Sequence, residues 1–215
     1  MGLVRVTPPQ GDVIPLEELR RQVRVDHADE DDDIRTLAAG VVSFLEGDGT
    51  GLESCWLGRV LLPQSWALTL DAFPARAIML PIGPVIAVES ITYIDADGDA
   101  QEIDSEKYRL LADRLPAEIV PAFGESWPLA REEEAVITVT FRAGYAGGQE
   151  LDSPPGPSAV PKSICQAIKL IVAHWYANRE TVNIGNIVNN LPWAAEALLT
   201  PQRTALSRLA WSDRP

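Results

Sequence analysis

Two cysteines and two histidines are all that this 215-residue chain offers of the residue types that most often build metal and nucleophilic sites. Cys55 and Cys165 stand far apart, with no C-x-x-C pair and no Cys/His cluster. They read as reduced, partly buried thiols in a cytosolic protein, not as a disulfide framework or a zinc site. His27 lies in an acidic run, and His174 lies beside the apolar stripe of a helix, where packing or hydrogen bonding is the expected role rather than base catalysis. No G-x-x-x-x-G-K-[ST], G-x-G-x-x-G or H-E-x-x-H occurs, so phosphate cradles and zincin sites lack support. Gly124-Glu125-Ser126-Trp127-Pro128 starts like a nucleophile elbow, but Pro128 replaces the last glycine and no strand-to-helix turn is evident. No apolar run approaches the roughly 18 residues of a membrane span. The opening residues lack the basic and apolar regions of a secretory signal. Positive charge is scarce: 18 Lys and Arg face 31 Asp and Glu, a net charge of −13. Such a chain is poorly suited to gripping nucleic acid, where phosphate neutralisation supplies most of the affinity. Acidic balance serves solubility first.

What is present falls into three parts. Pro15 to Val25 reads as a helix, with Pro15 in its first turn, Glu17 and Glu18 at the end that favours anions, and Leu16, Leu19 and Val23 as its stripe. After the acidic run 26–33, Ile34, Leu37, Val41, Phe44 and Leu45 mark a second helix, stopped by Gly47, Gly49 and Gly51. From about Val60 to Tyr145 the period changes to two. Trp66, Leu68 and Leu70 alternate with Ala67, Thr69 and Asp71, and Ile86–Ile94, Lys107–Leu111 and Ala135–Phe141 are further strands. Asp95 to Asp99 reads as a hairpin turn with Gly98 at positive φ. A Gly- and Pro-rich linker, Gly144–Pro161, leads to the strongest helix, where Ile164, Ile168, Ile171, Val172, Trp175 and Tyr176 build one wide apolar face. The expected fold class is α+β: a discontinuous helical bundle from the N- and C-terminal parts, with an inserted antiparallel β region. The expected division is 1–57 with 158–215 as the helical core, carrying a C-terminal docking segment, and 58–150 as the β-rich insertion plus linker.

The carboxylates offer two candidate cation sites. In 26–33, nothing fixes a coordination geometry, and capping of the second helix and complementing its dipole is the favoured role. Asp95, Asp97, Asp99 and Glu106 copy four positions of an EF-hand loop, but Ala100 stands where glycine makes the sharp turn and the flanks read as strands. No metal and no cofactor is expected. The terminal segment differs again. Trp193, Leu198, Leu199, Leu206, Leu209 and Trp211 are apolar anchors on a short stretch that either docks on a partner or folds back on its own bundle.

Five segments in order carry a family resemblance. They are Val6-Thr7-Pro8-Pro9 with Leu45-Glu46-Gly47, then Leu62 to Pro74 (LPQSWALTLDAFP), Gly124 to Pro128 (GESWP), Phe141 to Tyr145 (FRAGY), and Ala173 to Glu180 (AHWYANRE) with Leu191 to Pro201 (LPWAAEALLTP). Together they resemble phage head–tail connector (adaptor) proteins, the neck adaptors of tailed phages and gene transfer agents. Residues 182–190 match the family poorly, and 204–215 run past its usual ending.

The resemblance implies a structural protein, not an enzyme. It implies a ring of twelve identical subunits beneath the portal, extending the DNA channel and joining the head to a stopper or tail-completion protein. The portal contact would fall on Leu191, Trp193, Leu198, Leu199, Arg203, Leu206, Leu209 and Trp211. Asp26, Asp29, Glu30, Asp31, Asp32 and Asp33 would form an acidic face that repels DNA passing through without sequence-specific binding. The location would be the virion neck, after assembly in the bacterial cytoplasm, with no membrane partner. Two other readings stay open at this point: another neck component, such as a stopper or tail-completion protein, and a metal-dependent hydrolase using the aspartates.

Overall fold

The computed structural model describes residues 2–47, 49, 55–145, 159–178 and 193–204. In chain order its elements are β1 (Gly2–Thr7), α1 (Leu16–Val23), α2 (Asp31–Glu46), β2 (Gln64–Leu70), β3 (Ile78–Leu80), β4 (Val85–Ile94) and β5 (Ala100–Glu102). These are followed by β6 (Tyr108–Leu111), β7 (Ala117–Pro121), β8 (Ile137–Ala143), α3 (Lys162–Ala177) and α4 (Trp193–Leu199). The fold is α+β. A five-stranded antiparallel sheet runs β1-β2-β8-β4-β5, and a three-stranded one runs β3-β7-β6.

The strand alternation read from Trp66, Leu68 and Leu70 is the alternation that folds. Trp66 and Leu68 are fully buried, as are their neighbours Phe141 and Val139 across the β2–β8 register. Both sheets feed one apolar core that also takes in Ile78, Leu80, Ile91 and Ile119. The hairpin between β4 and β5 forms as expected. Gly98 has φ +96°, and the Asp95 carboxylate accepts from the Asp97 and Asp99 amides at 3.0 and 2.9 Å.

A second core belongs to the helices. α1 and α2 pack on α3, and α3 packs on α4, around Leu19, Ile34, Val41, Leu45, Ile164, Ile168, Ile171 and Leu199. The polypeptide passes from one core to the other at Gly144–Tyr145. Gly144 has φ +132°, and a Cβ there would stand 2.3 Å from the Leu62 carbonyl oxygen, so the crossing requires glycine. Tyr145 beyond it is buried among the helices.

Several expectations need correction. Gly2–Thr7, assigned to the helical part, is a strand on the edge of the larger sheet. Its inner face carries Leu3 and Arg5 while Val4 and Val6 point outward, so the apolar alternation is inverted and gives no strand signal. Pro15 sits just before its helix rather than in the first turn, at ψ 140°, and Pro161 stands in the same place before α3, at ψ 134°; their carbonyls accept the first helical N–H groups. Glu30 precedes α2 without a side-chain capping bond, so the acidic run complements the dipole from within the first turn, through Asp31, Asp32 and Asp33. The strands β3, β5 and β7 were not expected. β3 and β5 have three residues each, and every residue of β5 is exposed, which leaves no periodic signal to read.

Candidate partner-binding surface

α4 forms because Trp193 to Leu199 is rich in Ala and Leu, and its position is set by what it buries. Ala195 and Leu199 are fully buried against the helical core. The turn that follows is fastened to the segment between α2 and β2. The Arg59 Nε donates to the Gln202 carbonyl at 2.6 Å, and the Thr204 amide donates to the Leu57 carbonyl at 3.1 Å. The Arg203 guanidinium lies 4.5 Å over the Trp56 ring, and its Nε donates to the Trp56 carbonyl at 3.1 Å.

This geometry divides the sequence-predicted contact residues. Leu199 is a core residue of its own subunit and is corrected as a docking anchor; Leu198 is half-buried against the same core. Arg203 is engaged within the subunit. Trp193 is the opposite case: it is 83% exposed, on the α4 face that also presents Ala194, Glu196 and Ala197. Its indole is the largest apolar side chain that α4 leaves in water. Leu191, Leu206, Leu209 and Trp211 lie outside the described residues.

The acidic run is only partly open. Asp31 is held by a two-pronged pair with Arg20, which lowers the Asp31 pKa. Asp32 meets Arg35 at 3.0 Å, and Glu30 accepts from the Tyr176 hydroxyl at 2.6 Å on α3. Asp26, Asp29 and Asp33 are exposed, with His27 at 3.8 Å from Asp29. Of the six carboxylates, Asp26, Asp29, Asp32 and Asp33 are exposed, and Asp32 is the one of these four whose charge is met by an arginine.

The seam between the cores holds groups that sequence reasoning did not mark. Glu46, at the end of α2, is 3% exposed; its carboxylate accepts from the Leu61 amide at 2.5 Å and from Gln64 Nε2 at 3.1 Å. Burial pushes its pKa up, against the pull of those bonds and of the Arg5 charge. Arg5 donates to the Gly47 carbonyl at 3.1 Å and lies 5.3 Å from the Trp66 ring centre, joining β1, α2 and β2. Glu46 falls on the buried stripe of α2, one residue after Leu45, and that position was the available signal. Beside the seam, a cavity of about 380 Å³ opens between α2, α1 and the strand-to-helix segment, floored by Ile168 of α3.

The residue types that suggested chemistry are occupied otherwise. Cys55 is fully buried, and desolvation pushes its thiol up to about 12, which makes it inert. Ser126 is exposed on the loop between β7 and β8, with no helix behind it. His174 Nδ1 stands 3.4 Å from the Asn178 side-chain amide at the end of α3. The Asp95 carboxylate is taken up by the turn amides and by Gln101, and these bonds lower its pKa. Among the described residues no three His, Cys, Asp or Glu side chains are grouped to hold a metal, and no helix is long and apolar enough to cross a membrane.

Residues 134–203 match the family model of phage gp6-like head–tail connector proteins. No curated protein matches the chain. Among solved structures, a chain from the neck of an empty gene transfer agent particle, computed with C6 symmetry, is 24% identical; the similarity covers 95% of this chain and 96% of that one at a TM-score of 0.70. A chain of the native gene transfer agent virion gives 23% identity, the same coverages and a TM-score of 0.70. A chain from the native neck computed with C12 symmetry gives 23% and 0.68, again over 95% and 96%. At these identities the likeness establishes a shared fold across nearly the full length of both partners.

Proposed function

We propose that this chain is a structural adaptor of a phage or phage-like particle, one of the head–tail connector proteins whose family model its residues 134–203 match, forming a ring at the virion neck that joins head to tail. The observation that carries this reading is the family match over β8, the central strand of the β core, and over α3 and α4 of the helical core. The full-length likeness in fold to gene transfer agent neck chains supports it. No bond is made or broken in this role; the work is assembly.

The finer reading has twelve copies around a closed rotation axis, the portal above and a stopper or tail-completion protein below. The helical core carries the portal contact, and the β region is an insertion into it. Trp193 is the portal anchor, joined by Leu191 and the 205–215 tail. The exposed Asp26, Asp29 and Asp33 face the bore, where like charge keeps DNA from sticking as it slides. Subunits assemble onto the particle from the bacterial cytoplasm.

The test uses Trp193→Ala. Deleting all of 191–215 would strip Ala195 and Leu199 from the core, so its failure would be uninformative. Trp193 is 83% exposed, so its truncation should leave the melting temperature unchanged. Joining of purified tails to heads complemented with the variant should fall by about tenfold or more, the scale of an aromatic hot spot. Unimpaired joining would remove α4 from the portal contact. A density map of the particle that locates the chain away from the neck would remove the adaptor reading itself.

A further inference from the structure

The loop between β7 and β8 is held firmly and yet exposes large apolar side chains. Trp127 stacks on Phe73 at 5.3 Å with their planes 7° apart, and Phe73 meets Tyr93 edge-on at 5.7 Å. The Glu125 amide closes a turn on the Ala122 carbonyl at 3.0 Å. From this anchored turn Phe123 stands fully in solvent and Leu129 is 80% exposed. An aromatic ring fixed in water on an ordered turn is a preorganised knob.

The cavity beside the seam is its counterpart. At about 380 Å³ and lined by Val13, Ile14, Leu16, Ala38 and Val42, it has ample room for one aromatic ring. An apolar cavity of roughly 150 Å³ already holds benzene. Arg35 stands in the lining with its side chain 49% exposed and meets Asp32 on its own helix at 3.0 Å, so Glu125, exposed two residues from Phe123, would share this guanidinium with Asp32. The acidic members of the lining are Asp12 and Glu46; Glu46 is already bonded to Leu61 and Gln64.

Knob and socket cannot meet within one subunit. β2 starts at Gln64, bonded to Glu46 on the socket wall, and ends at Leu70. Asp71, next along, takes the Ala135 amide, and Phe73 carries the knob. Seven residues of strand put roughly 20 Å between the two ends. A closed ring of more than two copies needs two different, mutually complementary faces on each copy.

We infer that Phe123 of one subunit inserts into the apolar cavity between α1 and α2 of the next, with Glu125 pairing with Arg35 at its mouth. This contact closes the ring and rests on the adaptor reading above. The occupant is a second copy of this chain because the same chain supplies an apolar knob with an acid beside it and an apolar socket with a base at its rim.

The experiment installs a photo-crosslinking benzoylphenylalanine in place of Phe123 and irradiates intact particles carrying the whole neck. Crosslinks from position 123 to residues 9–16 or 38–43 of a different copy, identified by mixing isotopically labelled and unlabelled chains, are expected. Crosslinks to another neck protein, to the same copy, or to nothing would each overturn the contact while leaving the chain's place in the neck intact. A neck without the chain would instead overturn the adaptor reading. In parallel, Glu125→Arg should lower incorporation into necks by about fivefold or more, and pairing it with Arg35→Glu should restore it. Two singles without effect, or a double variant worse than either, would overturn the contact. Both residues are exposed, and the melting temperature of each variant checks that loss of the Arg35–Asp32 pair does not itself account for the effect.

Discussion

The two cores of this protein are built in opposite ways. The β core is assembled from one continuous stretch plus a single edge strand, and β2, β4 and β8 cross it with Trp66, Ile91, Val139 and Phe141 wholly buried. The helical core is gathered from both ends of the chain, and its last member, α4, is held by two apolar side chains and a few bonds to the 56–59 segment. A polar seam led by Glu46 and Arg5 fastens one to the other. The β core is thus tied by long strand ladders, and the far end of the helical core by a few separate bonds. Substitutions at three positions can break or sharpen that contrast.

The largest effect belongs to the frame. Phe141 is fully buried on the central strand β8, opposite Trp66 on one side and Val88 on the other. Phe141→Ala should lower stability by about 3–5 kcal/mol, the transfer and cavity cost of a core aromatic. Because Gly144 and Tyr145 directly follow this strand and lead into the helical core, urea unfolding should remain one transition, with tryptophan fluorescence and helical circular dichroism moving together. Two separated transitions would mean that the cores fold independently and that the seam is only a contact.

The seam itself comes next. Glu46→Ala leaves the Leu61 amide and the Gln64 side-chain amide facing a small cavity without their acceptor. An expected loss of about 1–3 kcal/mol follows from buried donors left unpaired. The pH dependence has a definite sign. Burial raises the Glu46 pKa in the folded state above its ordinary value of 4.5, so the folded form holds this proton longer than the unfolded form does. Its contribution to stability is present below that ordinary value and is lost as pH rises through the raised one. Glu46→Gln, which cannot titrate, should therefore gain on the wild type as pH climbs across that window, in urea midpoints measured pairwise. A constant difference at every pH would show that Glu46 is no more costly to ionise in the folded protein than in water.

How much of this was legible follows the same division. Alternation announced β2 and β8 because one face of each is dry and the other wet, and the stripe from Ile164 to Val172 announced α3 because it lies against three other helices. The edge strand β1 was not legible, since Arg5 points inward to stack on Trp66 while Val4 and Val6 face water. β5 was not legible either, having no buried side chain and existing only because the Asp95–Gly98 turn returns it to β4. For the candidate surface, sequence identified the apolar residues of α4 but could not choose which of them face inward. That choice rests on Arg59, Trp56 and Leu57, more than 130 positions away, whose bonds to 202–204 no local pattern encodes. The exposure of Phe123 was likewise invisible, because the loop that carries it is anchored by Trp127 stacking on Phe73, about 50 positions away.

The smallest expected effect is the one that separates clamp from contact. Arg203 stacks on Trp56 and bonds its carbonyl, so in the isolated subunit it clamps the turn after α4. Arg203→Ala should cost about 1 kcal/mol or slightly more, and the loss should be local: amides of α4 should exchange faster while those of β2 and β8 stay unchanged. Arg203→Lys sharpens the comparison, because it keeps the charge but loses the flat guanidinium that lies on the indole. If Arg203 acts as a clamp, the lysine variant exchanges at α4 nearly as fast as the alanine variant, and head joining falls in both alike. If its charge instead meets the portal directly, the lysine variant joins heads as well as wild type despite the looser α4. Slowed joining with α4 exchange unchanged in both would place Arg203 outside the clamp altogether, and the helical end would then be as stiff as the sheet.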